Sequence, residues 1–234
     1  MTERPKLNQK VVVAVVYVSA MILNSLDSTI ITVALSTLAR EFDVSPASIE
    51  SVVIGYLVSL AVFIPLSGWL GDRYGTRRTF LIALAIFSFA SLISGFAQSL
   101  PQLVLFRVLQ GVGGGMLMPV GMTIVLRAAG EGENGRLMSM LGIPPLIGPL
   151  IGPVLGGLLI DAASWRWIFL INVPVGLVGV LLAARLLPAD PNRTRRSLDW
   201  IGLALLSCGL AVSVFGLTGG GIMFAALGGL LGAG

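Results

Sequence analysis

Apolar positions in this chain come as long unbroken runs, neither the strict alternation of a half-buried strand nor the one-sided stripe of a surface helix. The runs cover approximately 11–36, 47–70, 79–97, 101–126, 137–160, 167–187 and 199–217, and a further apolar segment starts at 221. A hydrocarbon core of about 30 Å is crossed by about 20 helical residues, so each of the seven runs is predicted to be a membrane-spanning helix. Strands are excluded because every backbone amide in lipid must find its partner within the segment or in a closed barrel. The final stretch, "GIMFAALGGLLGAG" from 221 to 234, reaches only about 21 Å at 1.5 Å per residue. It reads as a truncated eighth helix, and truncation of the chain is the expectation.

Composition agrees with the pattern. Of 234 residues, 56% are hydrophobic and 11% are charged, against about 25% charged in an average soluble domain; the mean hydropathy is +0.95. The fold class is an all-α membrane protein. Arg4, Lys6 and Lys10 before "VVVAVVYVSAMIL" imitate a secretory leader. No small-residue cleavage site follows, though, and the apolar pattern continues past Asp27 to Leu35, so an uncleaved span is expected.

Charge sets the orientation. Arg4, Lys6, Lys10, Arg73, Arg77, Arg78, Arg127, Arg136, Arg185, Arg193, Arg195 and Arg196 fall in alternate loops on one side, against Arg40 and Arg166 on the other. By the positive-inside rule the first side and the N-terminus face the cytoplasm of a plasma (inner) membrane. The net charge of +4 is then a topology signal, and no nucleic-acid partner is implied. Histidine is absent and Cys208 is the one cysteine, so neither a disulfide framework nor a metal site is expected, and no cofactor. Residues 1–187 read as one six-helix bundle, 188–198 ("PADPNRTRRSL") as a basic cytoplasmic linker, and 199–234 as an appended helix with the start of another.

Two charges lie where charge is expensive. Asp27 sits well inside span 1 and Arg107 inside span 4; near a helix centre each costs about 2.5–3.5 kcal/mol on insertion scales. Taking Ser36 and Pro101 as the outer ends places them about 13 and 9 Å below the outer surface, close enough to pair. Either they form a structural ion pair, with Arg107 otherwise snorkelling, or Asp27 loads and releases a proton beside Arg107. A nearby cation favours the carboxylate and desolvation favours the acid, which is the balance a proton carrier needs.

Three motifs stand beside this pair. In "GPLIGPVLGG", Gly148, Gly152 and Gly156 recur at i+4 and share a helix face on which a neighbouring backbone can come close. Pro149 and Pro153 each remove a helix hydrogen bond and are expected to bend span 5. "GWLGDRYGTRR", residues 68–78, forms the short cytoplasmic loop between spans 2 and 3, with Asp72 near several arginines. "RVLQGVGGG", residues 107–115, puts Gln110 about one turn after Arg107 and then a glycine cluster that admits a large neighbour. Each is explained either by packing or by the moving parts of a transporter.

Together the motifs resemble the major facilitator superfamily, and within it the fourteen-helix drug:proton antiporter branch. "LDSTIITVAL" is similar to that branch's helix 1 signature, "GWLGDRYGTRR" to the loop motif, "RVLQGVGGG" to the helix 4 motif, "GPLIGPVLGG" to the helix 5 antiporter motif, and "SWRWIFLINVPVG" to the start of helix 6. "SLDWIGLALLSCGL" resembles the extra helix 7 of fourteen-helix members; Thr32 and Ser36 stand where the branch often has asparagine and proline. The resemblance covers about residues 24–217. It implies a six-helix N-terminal major-facilitator bundle plus helix 7 and a truncated helix 8.

The resemblance also implies roles. Asp27 and Arg107 are the proton-coupling pair, with Gln110 and Gly111 in the helix 4 cavity motif. Gly68, Asp72, Arg73, Gly75, Arg77 and Arg78 form the cytoplasmic loop latch, and Gly148, Pro149, Gly152, Pro153, Gly156 and Gly157 the helix 5 hinge. The implied activity is proton-coupled export of a lipophilic, cationic small molecule. Its partners are that substrate, protons, the bilayer, and a missing C-terminal half or a second copy. Export of a metabolite, siderophore or self-made antibiotic is the nearest alternative, and a non-transporting membrane module that binds a partner is the alternative of another class. No enzyme constellation is present: there is no phosphate loop after a strand and no nucleophile with a histidine base.

Overall fold

Buried periodicity of i, i+3 and i+4 within runs already apolar all round dictates which face of each helix turns inward. A computed structural model describes residues 9–128, 142, 144–187 and 199–216, and every element among them is helical. Helix α1 spans Gln9–Glu41, α2 Pro46–Ile49, α3 Ser51–Tyr74, α4 Thr76–Ser94, α5 Leu100–Ala128, α6 Pro144–Ala162, α7 Trp167–Leu170, α8 Asn172–Leu186 and α9 Trp200–Phe215. All seven predicted spans are therefore helical over most of their described residues, spans 2 and 6 each with a short leading helix. Among the described residues, Val12–Glu41, Pro46–Tyr74, Thr76–Ser94, Leu100–Ala128 and Trp167–Leu186 are long and apolar enough to cross a membrane. Leu146–Ala162 and Trp200–Val214 are shorter apolar helices. Arg4 and Lys6, the start of span 5 with Arg136, the 188–198 linker and the eighth segment lie outside the described residues.

The first helix runs past its expected end at Ser36 to Glu41. Ile31, Ala34 and Leu38 continue the inward stripe at helical spacing and are buried, and Arg40 complements the negative helix C-terminus. Ser45 caps α2 by accepting from the Ser48 backbone N–H. Gly75 separates α3 from α4 at φ 97, a conformation that glycine adopts without the steric cost other residues meet.

Helix α5 lies against α3 and α4, and α1 against α6, α8 and α5. The glycine cluster of α5 makes the first contact close. A Cβ on Gly111 would meet the Tyr56 carbonyl at 2.6 Å, one on Gly113 the Ala83 carbonyl at 2.5 Å, and one on Gly115 the Leu60 carbonyl at 2.7 Å. The large neighbour expected beside "RVLQGVGGG" is thus the backbone of two adjoining helices.

Two apolar clusters fill the bundle. One gathers Tyr17, Leu23, Tyr56, Phe80, Phe87 and Met116; the other gathers Ile30, Leu38, Val52, Leu103, Trp165 and Phe169. Along α1 they part between Leu23 and Ile30, and Asp27 stands in that gap. Helix α9 rests on α3, where the Ser207 hydroxyl donates to the Val62 carbonyl at 3.4 Å.

Candidate functional site

A carboxylate buried between two apolar clusters must have its lone pairs filled, because an unpaired buried charge costs several kcal/mol. Asp27 receives three donors. Arg107 Nη1 donates to Oδ2 at 2.6 Å, Gln110 Nε2 to Oδ1 at 2.8 Å, and Asn172 Nδ2 to Oδ1 at 2.8 Å. All four side chains are no more than 3% exposed. Arg107 Nη1 also donates to Gln110 Oε1 at 2.9 Å, so the cation, the amide and the carboxylate close a ring.

Helical geometry assembles this ring. Arg107 and Gln110 are three apart on α5 and share a face, α1 brings Asp27, and Asn172 opens α8. The guanidinium carbon of Arg107 lies 4.3 Å from the Tyr56 ring centroid and 5.9 Å from that of Phe169. Its Nε and Nη2 have no hydrogen-bond partner among the described residues, and the ring faces partly compensate the cation there. Tyr56 is fixed in turn, its hydroxyl donating to Asn24 Oδ1 at 2.6 Å.

Sequence reasoning missed Asn172 and Tyr56. Asn172 lies within the quoted "SWRWIFLINVPVG" stretch, and a polar amide inside an apolar run was the available signal. Asn172 Nδ2 also donates to Ser91 Oγ at 3.1 Å, and Ser91 Oγ donates to the Phe169 carbonyl at 2.9 Å. A polar thread therefore runs from α1 through α8 and α4 to α7.

The glycine ladder of α6 meets α1 next to this site. A Cβ on Gly148 would come within 2.6 Å of the Ser25 carbonyl carbon and oxygen, one on Gly152 within 2.9 Å of Thr29 Cβ, and one on Gly156 within 3.2 Å of Ile30 Cγ2. Pro149 and Pro153 are exposed, and α6 continues through both. Gly157 has open space around it, since one residue along a helix is about 100° round the axis.

On the loop side, Gly75 N–H donates to the Gly71 carbonyl at 3.0 Å and tightens the turn. Asp72 faces Arg127 of α5 at 3.9 Å, Arg127 Nη1 donates to Thr76 Oγ1 at 3.4 Å, and Arg77 donates to the Ala184 carbonyl on α8. Arg73, Arg78 and Gly68 are exposed, and a Cβ on Gly68 would meet nothing within 4 Å. The loop motif therefore reaches α5 and α8 through Asp72 and Arg77, and Arg127 joins it unforeseen. Among the described residues no three acidic, cysteine or histidine side chains converge as a metal site would require.

Comparisons with known proteins bear on the family and the fold. The family model described as Major Facilitator Superfamily matches residues 17–234. Over 203 residues, 87% of this chain and 38% of the other, the chain is 44% identical to the multidrug resistance protein B homolog of Mycobacterium tuberculosis. Over 197 residues, 84% of this chain and 42% of the other, it is 41% identical to the putative multidrug resistance protein MdtD of Salmonella typhi. The chain thus spans less than half the length of these relatives. In fold it is similar to the inward-open xylose transporter XylE from E. coli, with a TM-score of 0.67 and 17% identity over 95% of this chain and 55% of that one. It is also similar to the human organic anion transporter MFSD10, with a TM-score of 0.69 and 18% identity over 90% of this chain and 55% of that one.

Proposed function

This chain belongs to the major facilitator superfamily, and from that premise we propose that it is the N-terminal bundle of a proton-coupled exporter of lipophilic, cationic compounds. Residues 1–187 are the moving bundle, 188–198 a cytoplasmic linker and 199–234 the extra helices of a fourteen-helix transporter. The N-terminus faces the cytoplasm, as the distribution of arginine and lysine supports. Alternating access in this fold rocks two six-helix bundles about a midplane site, so the chain works with a second bundle. The names of its relatives, both multidrug resistance proteins, support drugs as the substrate class.

The observation that carries the reading is the sealed carboxylate: Asp27 is 3% exposed and holds Arg107 at 2.6 Å in the middle of the bundle. A charged Asp27 attracts a cationic substrate and a neutral one does not, so proton and substrate exclude each other at one group. That exclusion is a coupling free energy, and it acts in both directions. A proton arriving from outside releases the substrate outward, and loss of the proton inside prepares the site for the next cation.

Competition of this kind is tested by binding. With a second bundle supplied by grafting this chain onto the remainder of the Mycobacterium tuberculosis relative, tetraphenylphosphonium affinity is measured against pH. The expected result is affinity that falls on acidification and an Asp27→Asn variant whose weak affinity ignores pH. Equal pH dependence in both proteins excludes Asp27 as the coupling group.

A further inference from the structure

The donors around Asp27 are arranged for its charged form alone, and this raises the question of what a proton on Asp27 would meet. A protonated carboxyl presents an O–H that needs an acceptor, whereas Arg107 Nη1, Gln110 Nε2 and Asn172 Nδ2 all point hydrogens at it. We propose that Asn172 reads the protonation state of Asp27, its amide donating to the carboxylate and turning over to accept from the neutral acid, and that Ser91 passes the turn to the Phe169 carbonyl. The inference rests on Asp27 as the proton-loading group.

Of the three donors, Asn172 is the one free to turn. Arg107 has no acceptor to offer. Gln110 is held, because its Oε1 accepts from Arg107 Nη1 at 2.9 Å and turning it would set an NH2 group against the guanidinium. Both bonds of Asn172 leave from Nδ2, to Asp27 Oδ1 and to Ser91 Oγ. A half turn about its terminal bond, a broad and roughly two-fold torsion, places Oδ1 before both partners at once. Ser91 follows because a hydroxyl can donate or accept.

The bonds that Asn172 makes to Asp27 and to Ser91 exchange as follows. With Asp27 charged, Asn172 donates to Asp27 and to Ser91, and Ser91 donates to the Phe169 carbonyl. With Asp27 neutral, Asp27 and Ser91 both donate to Asn172 Oδ1, and the Phe169 carbonyl is released. One proton on α1 therefore undoes one bond between α4 and α7. Phe169 is edge-on to Trp165 with ring centroids 6.2 Å apart, and Trp165 is edge-on to Phe42 at 5.6 Å, so the released carbonyl belongs to an aromatic cluster on the side of Glu41 and Arg166.

The ionisable groups facing Asp27 are Arg107 of α5 and Tyr56 of α3, whose hydroxyl is committed to Asn24. Helices α4, α7 and α8 contribute Ser91, Phe169 and Asn172, which do not titrate. Helix α6 turns glycines to α1, and its Asp161 is exposed.

Infrared difference spectra of this chain in lipid vesicles, taken on acidification, separate the possibilities. Heavy-carbon labels go on the asparagine side-chain carbonyl and, separately, on the phenylalanine backbone carbonyl. The expected result is a protonated-carboxyl band lost in Asp27→Asn, with coincident shifts of the asparagine and phenylalanine carbonyls. The asparagine shift should vanish in Asn172→Leu. In Ser91→Ala, which keeps the amide and should fold, the asparagine shift remains and the phenylalanine shift is lost. An Asp27 carboxyl band with no asparagine shift overturns the turning amide and leaves proton loading standing. No Asp27 band at any pH overturns both.

Discussion

The hydroxyl of Thr29 on α1 donates to the backbone carbonyl of Gly148 on α6 at 3.0 Å. A side chain thus touches the neighbouring main chain directly, two residues along α1 from the buried carboxylate. Adding bulk at this seam forces the two helices apart, and overpacking of this kind costs about 1–3 kcal/mol. Gly148→Val and Gly152→Val should each lower the melting temperature of the purified protein, whereas Gly157→Ala, with open space around it, should leave it unchanged. Equal melting of all three would deny that α1 and α6 are in close contact.

Arg107 and Asp27 should be inseparable for stability. Removing one partner leaves an uncompensated buried charge, a loss of about 3–5 kcal/mol, while removing both charges together is close to neutral. Arg107→Gln should therefore destabilise the bundle strongly, and the Asp27→Asn, Arg107→Gln double variant should recover most of that loss. Urea or thermal unfolding in detergent measures the coupling; additive losses would contradict it.

Much of this arrangement can be read from the chain itself. Apolar runs of about 20 residues predict helices because a helix satisfies its own amides in lipid, and Asp27 and Arg107 stand out because unpaired charge is the largest penalty a span can carry. Asn172 and Tyr56 are quieter. A neutral amide or phenol costs less, so composition does not flag it, and its inward aim follows from which face α8 or α3 presents, which sequence spacing alone does not tell. Arg127 was legible only as a loop charge because its partner Asp72 comes from a different helix. Helix α1 continues past Ser36, where the apolar run ends, because Leu38 still carries the buried stripe towards Glu41.

The loop between α3 and α4 should matter more for movement than for folding. Asp72 and Arg127 are each close to half exposed and 3.9 Å apart, and such pairs contribute at most about 1 kcal/mol. Asp72→Asn should leave unfolding nearly unchanged yet slow transport by the assembled protein. Gly75→Ala, forced into φ 97, should cost about 1–2 kcal/mol. The comparison is a melting curve beside a transport rate; a large stability loss in Asp72→Asn would contradict the assignment.

Orientation is open to chemical labelling. In a Cys208→Ser background, a cysteine at Arg78 should react with a membrane-impermeant maleimide only after the cytoplasmic face is opened, and one at Asp43 should react in intact cells. The reverse pattern would invert the topology.

The central claim is that proton movement through Asp27 drives export. Its most direct test is the efflux of a lipophilic cationic dye from cells producing this chain with a second bundle, under an imposed inward proton gradient. The account predicts rapid efflux that stops when the gradient is collapsed and is absent in Asp27→Asn when rates are compared per amount of protein in the membrane. Undiminished gradient-driven efflux by Asp27→Asn would contradict it.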